Sequence, residues 1–145
     1  MHPASLRKRV LVVDDEPDER IFLTRLLEGG GYESILASDA SEGLKKAVQE
    51  RPDFIVLAVM FDHHGNLLMF DDLKLDETLK HIPVVLLSSI EQKTLHQLRS
   101  LPGVSRGGFL ARPEGFLAKP PEADELLGVL KALDPLEGSK PSAGA

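Results

Sequence analysis

The chain has 145 residues, no cysteine and a formal net charge of −6. This length suits one ordinary domain with its own hydrophobic core, and the lack of cysteine excludes disulfides, thiolate nucleophiles and cysteine metal sites. No basic stripe interleaved with aromatics is present, so we do not expect direct nucleic-acid binding. No run approaches the roughly 20 apolar residues of a membrane span. Residues 1–9 lack the apolar stretch of a secretory signal, and we expect a cytoplasmic protein.

Taken in chain order, the sequence alternates short apolar runs with segments of helical spacing. The runs predict strands at 10–13, 34–37, 54–61, 83–89 and within 108–119. The first helix begins at Pro17, ends at Gly29-Gly30-Gly31 and groups its apolar residues on one face. That face is predicted to comprise Phe22, Leu23, Leu26 and Leu27. The second helix, capped by Asp39 or Ser41, is predicted to group Leu44, Ala47 and Val48.

The central run, 54–61, holds eight consecutive apolar residues, which is typical of a strand buried on both faces. Alternating strands and helices indicate a parallel sheet with helices on both sides, an α/β three-layer sandwich. We expect one folded module over residues 9–133. Residues 1–8 are predicted to be an N-terminal tail and residues 134–145 a flexible C-terminal tail.

In a doubly wound sheet, ligands collect beyond the carboxyl ends of the strands. Four predicted strands end there in Asp14-Asp15, near Ala58, in Ser88 and in Lys119. Adjacent carboxylates suit a hard cation such as Mg²⁺. They are equally typical of an acidic helix N-terminus, which the helix dipole favours.

The chain resembles the receiver domain of bacterial two-component response regulators over about residues 9–133. The resemblance rests on four segments: VLVVDDEPD at 10–18, RPDFIVL at 51–57, HIPVVLLS at 81–88 and FLAKP at 116–120. It implies a flavodoxin-like five-stranded sheet in the order 2-1-3-4-5. It also implies that Asp14 and Asp15 hold Mg²⁺, that Ser88 and Lys119 contact a phosphoryl group, and that Phe116 occupies the aromatic switch position.

The family's phosphate acceptor, an aspartate on the third strand, is replaced by Ala58. A methyl group cannot attack phosphorus, so we expect no aspartyl phosphorylation at this position. With one carboxylate fewer, Mg²⁺ should bind weakly if it binds at all. We also expect Lys119 to pair with Asp14 or Asp15. The loop after the strand departs from the family as well, with Phe61-Asp62-His63 and Gly65-Asn66, which favours natural loss of the chemistry over an engineered substitution.

A seven-residue near-repeat, GFLARPE at 108–114 followed by GFLAKPP at 115–121, surrounds the fifth predicted strand. Only one copy can form the strand. Spacing to the last helix favours the second copy with Lys119, whereas spacing back to Ser88 favours the first with Arg112. If the second copy forms the strand, Phe109, Leu110 and Arg112 belong to a loop that we expect to extend a partner-binding surface.

We therefore expect a stand-alone, receiver-like signalling module, not an enzyme, that acts through protein–protein contacts. The resemblance implies a histidine kinase or a downstream effector as partner, and a homodimer is left open. One alternative is a phosphoryl-accepting receiver whose acceptor was replaced artificially. Another is a phosphatase of the haloacid dehalogenase type, but that family needs Asp-x-Asp and this chain has Asp14-Asp15-Glu16.

Overall fold

The computed structural model describes residues 7–59, 65–101 and 111–134. Strands and helices alternate along them, as predicted. The strands are β1 Arg9–Val13, β2 Glu33–Ala37, β3 Phe54–Val59, β4 Val84–Ser88 and β5 Gly115–Ala118. The helices are α1 Pro17–Gly29, α2 Ala40–Glu50, α3 Gly65–Leu75, α4 Gln92–Arg99 and α5 Ala123–Leu133.

All strand pairs are parallel, and the order β2-β1-β3-β4-β5 confirms the predicted flavodoxin-like topology. Successive residues of each strand face opposite sides, which creates two cores. One core packs β-strand side chains against α2, α3 and α4, and the other packs them against α1 and α5. Every residue of β3 is buried, as expected for the central strand of a three-layer sandwich.

The helix boundaries follow local signals in the sequence. Asp39 caps α2 by accepting a hydrogen bond from the Glu42 N–H at 2.8 Å. After α1, Gly31 adopts a φ of 93°, which only glycine reaches without strain. The predicted helix faces are partly wrong, because Phe22 is 44% exposed and Val48 is 56% exposed. Both lie at the margin of an apolar stripe whose centre, including Leu23 and Ala47, is buried.

The second copy of the repeat forms β5. The sequence had left open which of the two copies forms this strand. Lys119 follows the strand directly, and its backbone N–H donates to the Ser88 carbonyl at 2.9 Å. From the first copy, Ala111 to Glu114 lead into the strand, whereas Phe109 and Leu110 lie outside the described residues. The tails predicted at 1–8 and 134–145 fall almost wholly outside them as well.

No helix in the described ranges is long and apolar enough to cross a bilayer.

Candidate functional site

The carboxyl ends of β1, β3, β4 and β5 meet at one edge of the sheet. In the register, Val13 pairs with Leu57, and Ala58 pairs with Leu87. Leu87 in turn pairs with Leu117, which stands two residues before Lys119. Because side chains alternate along a strand, Asp14, Ala58 and Lys119 face the α1–α5 side of the sheet. Three of the side chains that the sequence singled out are thus brought together.

Asp14, Glu19 and Lys119 form a charged cluster at this edge. The Lys119 Nζ lies 2.7 Å from the Glu19 Oε1, and the Lys119 side chain is only 8% exposed. Asp14 is fully buried, and one of its carboxylate oxygens accepts a hydrogen bond from the Glu16 N–H at 3.0 Å. The sequence predicted Asp14 or Asp15 as the partner of Lys119 and overlooked Glu19. Asp15 itself is exposed.

The pKa values of Asp14 and Glu19 shift in opposite directions. Burial, reinforced by the side-chain hydrogen bond with Glu19, raises the pKa of Asp14 to about 7. Burial also opposes ionisation of Glu19, but hydrogen bonds from Asp14 and Lys119 outweigh it and hold the pKa of Glu19 below its usual value. Asp14 is therefore the proton carrier of the cluster, and Glu19 is its anion.

Ser88, the other predicted contact of a phosphoryl group, and Ala58, at the acceptor position, are both hydrogen-bonded within the protein. The Ser88 hydroxyl accepts from the Ile90 N–H at 2.8 Å and donates to the Ile90 carbonyl at 2.9 Å. Ala58 is 2% exposed, and its carbonyl accepts a hydrogen bond from the Asn66 side-chain amide at 2.6 Å. Neither residue presents an unsatisfied group to a ligand at this edge.

The described residues do not fit the Mg²⁺ site that the family resemblance implies. Mg²⁺ is usually held by one or two protein carboxylates and several waters in near-octahedral geometry. The Ala58 side chain offers no oxygen, Asp15 is exposed to solvent, and the buried Asp14 lies in a pocket that Lys119 and Glu19 also line. Across residues 7–59, 65–101 and 111–134, no three His, Asp or Glu side chains are grouped to hold a metal ion.

A family model for the response regulator receiver domain matches residues 10–131. The chain belongs to the response regulator receiver domain family. Receiver domains are signalling modules of two-component systems. The curated relatives of this receiver include Protein PilH of Pseudomonas aeruginosa, which is 27% identical over 86% of the chain and 96% of PilH. The chain is also 36% identical to the transcriptional regulatory protein PhoP of Bacillus subtilis, over 61% of the chain but only 36% of PhoP.

Solved structures resemble this receiver in fold. The signal receiver domain of a histidine kinase from Syntrophus aciditrophicus is 26% identical, with a TM-score of 0.73 over 92% of each chain. The chemotaxis protein CheY4 of Vibrio cholerae is 25% identical, with a TM-score of 0.70 over 88% of this receiver and 98% of CheY4. The sandwich therefore matches that of known receivers over most of its length.

A second feature of the receiver is a groove between α4 and β5. It has a volume of about 810 Å³, with Leu86, Leu95 and Phe116 among its apolar lining and Lys93 and Arg112 among its cationic groups. Phe116, at the predicted switch position, is half-buried and packs against the core on the α3–α4 side. Arg112 is exposed, which the predicted surface role requires.

The floor of the groove is fixed by a buried ion pair that the sequence analysis missed. One Arg99 guanidinium nitrogen donates to the Asp71 carboxylate at 2.7 Å, and another donates to the Ala111 carbonyl at 2.8 Å. The Arg99 side chain is 6% exposed and that of Asp71 is fully buried. The guanidinium also lies 5.2 Å from the centroid of the Phe70 ring, within cation–π range. Arg99 thereby joins α3, α4 and the segment before β5.

A second anchor holds the same segment from its other end. Both Glu114 carboxylate oxygens accept hydrogen bonds from the Lys74 Nζ, at 2.9 and 3.0 Å. One of them also accepts from the Val84 N–H at 2.7 Å. The Lys74 side chain is 8% exposed, whereas that of Glu114 is 36% exposed, so only the lysine side of this pair is buried. Polar residues within apolar runs, such as Asp71 after Phe70, were the available sequence signal for these anchors.

Proposed function

We propose that this receiver is a stand-alone signalling module that works through protein–protein contacts without aspartyl phosphorylation. The observation that carries the proposal is Ala58, buried at the carboxyl end of β3 at the level of Asp14. The alternative, a phosphoryl-accepting receiver with an artificially replaced acceptor, explains Ala58 but not Glu19, which already pairs with Lys119. The coverage of PilH over 96% of its length is consistent with a module of this size acting alone.

The partner that we propose is a histidine kinase or a downstream effector, and a homodimer remains a second arrangement to test. The exposed Arg112, beside the apolar lining of the groove, supports contact at the α4–β5 side. Arginine beside apolar side chains is typical of interface hot spots. Phe109 and Leu110 were predicted to belong to the same surface, and for them this stays a prediction. The cytoplasmic location also stays a prediction.

The first test is chemical. Incubation with acetyl phosphate and Mg²⁺ is expected to add no phosphoryl group, because the Ala58 methyl is not a nucleophile. Intact-mass spectrometry reads the result, and a receiver that retains the acceptor aspartate serves as the positive control. A stable phosphoryl adduct that maps to Asp62 would show that the chemistry has moved along the loop, and the proposal would be wrong.

The second test locates the partner surface. Charge reversal by Arg112→Glu is expected to weaken capture of the partner in a pulldown from native lysate by on the order of thirtyfold, which corresponds to the loss of one interface hot spot. Asp15→Asn, at the exposed edge of the ancestral pocket, should leave capture unchanged.

Arg25→Glu is the matched control because it reverses an exposed charge on α1, on the other side of the sheet. It should also leave capture unchanged. Loss of capture in Asp15→Asn together with full capture in Arg112→Glu, with both proteins folded, would place the functional centre back in the pocket.

A further inference from the structure

Glu19 is the acidic residue of the pocket for which the family resemblance provides no role. It lies in the first turn of α1 and reaches from the helix to the sheet edge. Its side chain is 41% exposed as a whole, yet the Oε1 atom that faces Lys119 is buried. A surface glutamate on a helix usually keeps both oxygens in water. The buried oxygen therefore marks a specific contact.

The surroundings of Lys119 explain why that contact forms. A nearly buried ammonium group is costly unless an anion lies beside it. Asp14 and Glu19 both line the pocket that contains Lys119, whereas the side chain of Ala58 is only a methyl group. Among the residues that the structure describes, Glu19 supplies such an anion, with its Oε1 atom 2.7 Å from the Lys119 Nζ.

The contact also fills the pocket. The space left among Asp14, Glu19 and Lys119 is about 20 Å³, and Phe22, Pro120 and Pro121 close its outer side. A cavity of that size holds about one water molecule. It is too small for a phosphoryl group or for a hydrated metal ion without displacement of the Glu19 side chain.

We propose that Glu19 supplies from helix α1 the counter-ion for Lys119 that an aspartate at position 58 would otherwise supply, and that it thereby closes the pocket to Mg²⁺ and phosphoryl groups. Glu19 is a positioning residue in this scheme. The inference concerns the pocket alone and does not depend on which surface binds the partner.

The direct test observes the Lys119 ammonium group in the otherwise unaltered chain. NMR of protein labelled with ¹⁵N-lysine should show a slowly exchanging ammonium signal, which Lys119→Arg assigns by its loss. Glu19→Gln removes the anion and should accelerate proton exchange of this group by on the order of tenfold. Asp18→Asn removes one exposed charge from the same helical turn and should leave exchange unchanged. Unaltered exchange in Glu19→Gln would overturn the proposal.

A second test asks whether Glu19 keeps the pocket closed once the acceptor is restored. Ala58→Asp alone should bind Mg²⁺ with a dissociation constant in the millimolar range or weaker, measured by calorimetry. Ala58→Asp combined with Glu19→Gln should bind about tenfold more tightly, whereas Ala58→Asp combined with Asp18→Asn should match Ala58→Asp.

Equal or tighter binding by Ala58→Asp alone would show that Glu19 does not exclude the ion, and the proposal would fall. Circular dichroism checks folding of each variant. If Ala58→Asp does not fold, the exchange measurement decides.

Discussion

Arg99→Met is expected to lower the free energy of unfolding by about 3–5 kcal/mol, because it leaves the Asp71 carboxylate buried without its cation. Asp71 is fully buried, and its carboxylate lies 2.7 Å from the guanidinium. The same substitution removes the hydrogen bond to the Ala111 carbonyl and the cation–π contact with Phe70. Urea unfolding followed by circular dichroism measures the change, since the chain has no tryptophan.

A double variant separates two contributions to the free energy of unfolding: the penalty for burying one charge without its partner, and the net contribution of the ion pair. Asp71→Leu combined with Arg99→Met replaces both partners with apolar groups of similar volume and should recover most of the lost stability. Arg112→Met, which removes an exposed arginine near the same segment, should change the free energy of unfolding by less than about 0.5 kcal/mol. A loss below about 1 kcal/mol for Arg99→Met alone would mean that Asp71 is neutral or otherwise satisfied.

Asp14→Asn is expected to stabilise the protein by about 2–4 kcal/mol at pH 8 and by less than about 1 kcal/mol at pH 4. The pKa of Asp14 rises from 3.8 to about 7 on folding. Between these values the folded state holds a proton that the unfolded state has released, so the stability of the wild type falls as pH rises from about 4 to about 7. The lowered pKa of Glu19 acts in the opposite sense but at lower pH, because its contribution to stability is complete above the usual value of 4.5 and is lost as pH falls below it.

Asparagine removes the ionisation while its amide still donates to Glu19, as protonated Asp14 does. The quantity to measure is the difference between the two free energies of unfolding across the pH range, because the titration of other groups then cancels. Asp15→Asn is the matched control, and its exposed side chain should contribute less than about 0.5 kcal/mol at any pH. A variant less stable than the wild type at pH 8 would show that the Asp14 carboxylate is favourably paired in the folded state and that folding does not raise its pKa.

The architecture was predictable because it depends on patterns local in the chain. Apolar runs of strand length and glycine or proline at the helix ends are each set by a few neighbouring residues. The choice of β5 was predictable from spacing to the last helix, since that connection is short. The strand ends then follow from topology, which places Asp14, Ala58 and Lys119 at the same edge of the sheet.

The ionic contacts were not predictable because they depend on distances across the fold. Arg99 and Asp71 are 28 residues apart, and Lys74 and Glu114 are 40 apart. The residues adjacent to Asp71 and Lys74 in the sequence do not indicate which distant residue forms an ion pair with each of them. Glu19 was missed for a related reason: its inward direction depends on the rotation of α1 about its axis, which also leaves Phe22 more exposed than its pattern suggested.

The contacts of Glu114 bear on the history of the repeated segment. A short duplication in a loop can ordinarily be deleted without a large change in stability, because added loop residues change the entropy of loop closure little and make no stabilising contacts. Here the last residue of the first copy neutralises Lys74 and accepts the N–H of Val84. Excision of residues 108–114 would place Gly107 before Gly115 and leave that ammonium with the carbonyl oxygens of Lys80 and Ile82. Deletion of the first copy is therefore expected to destabilise the fold, because the Lys74 ammonium and the Val84 N–H would both lose the Glu114 carboxylate.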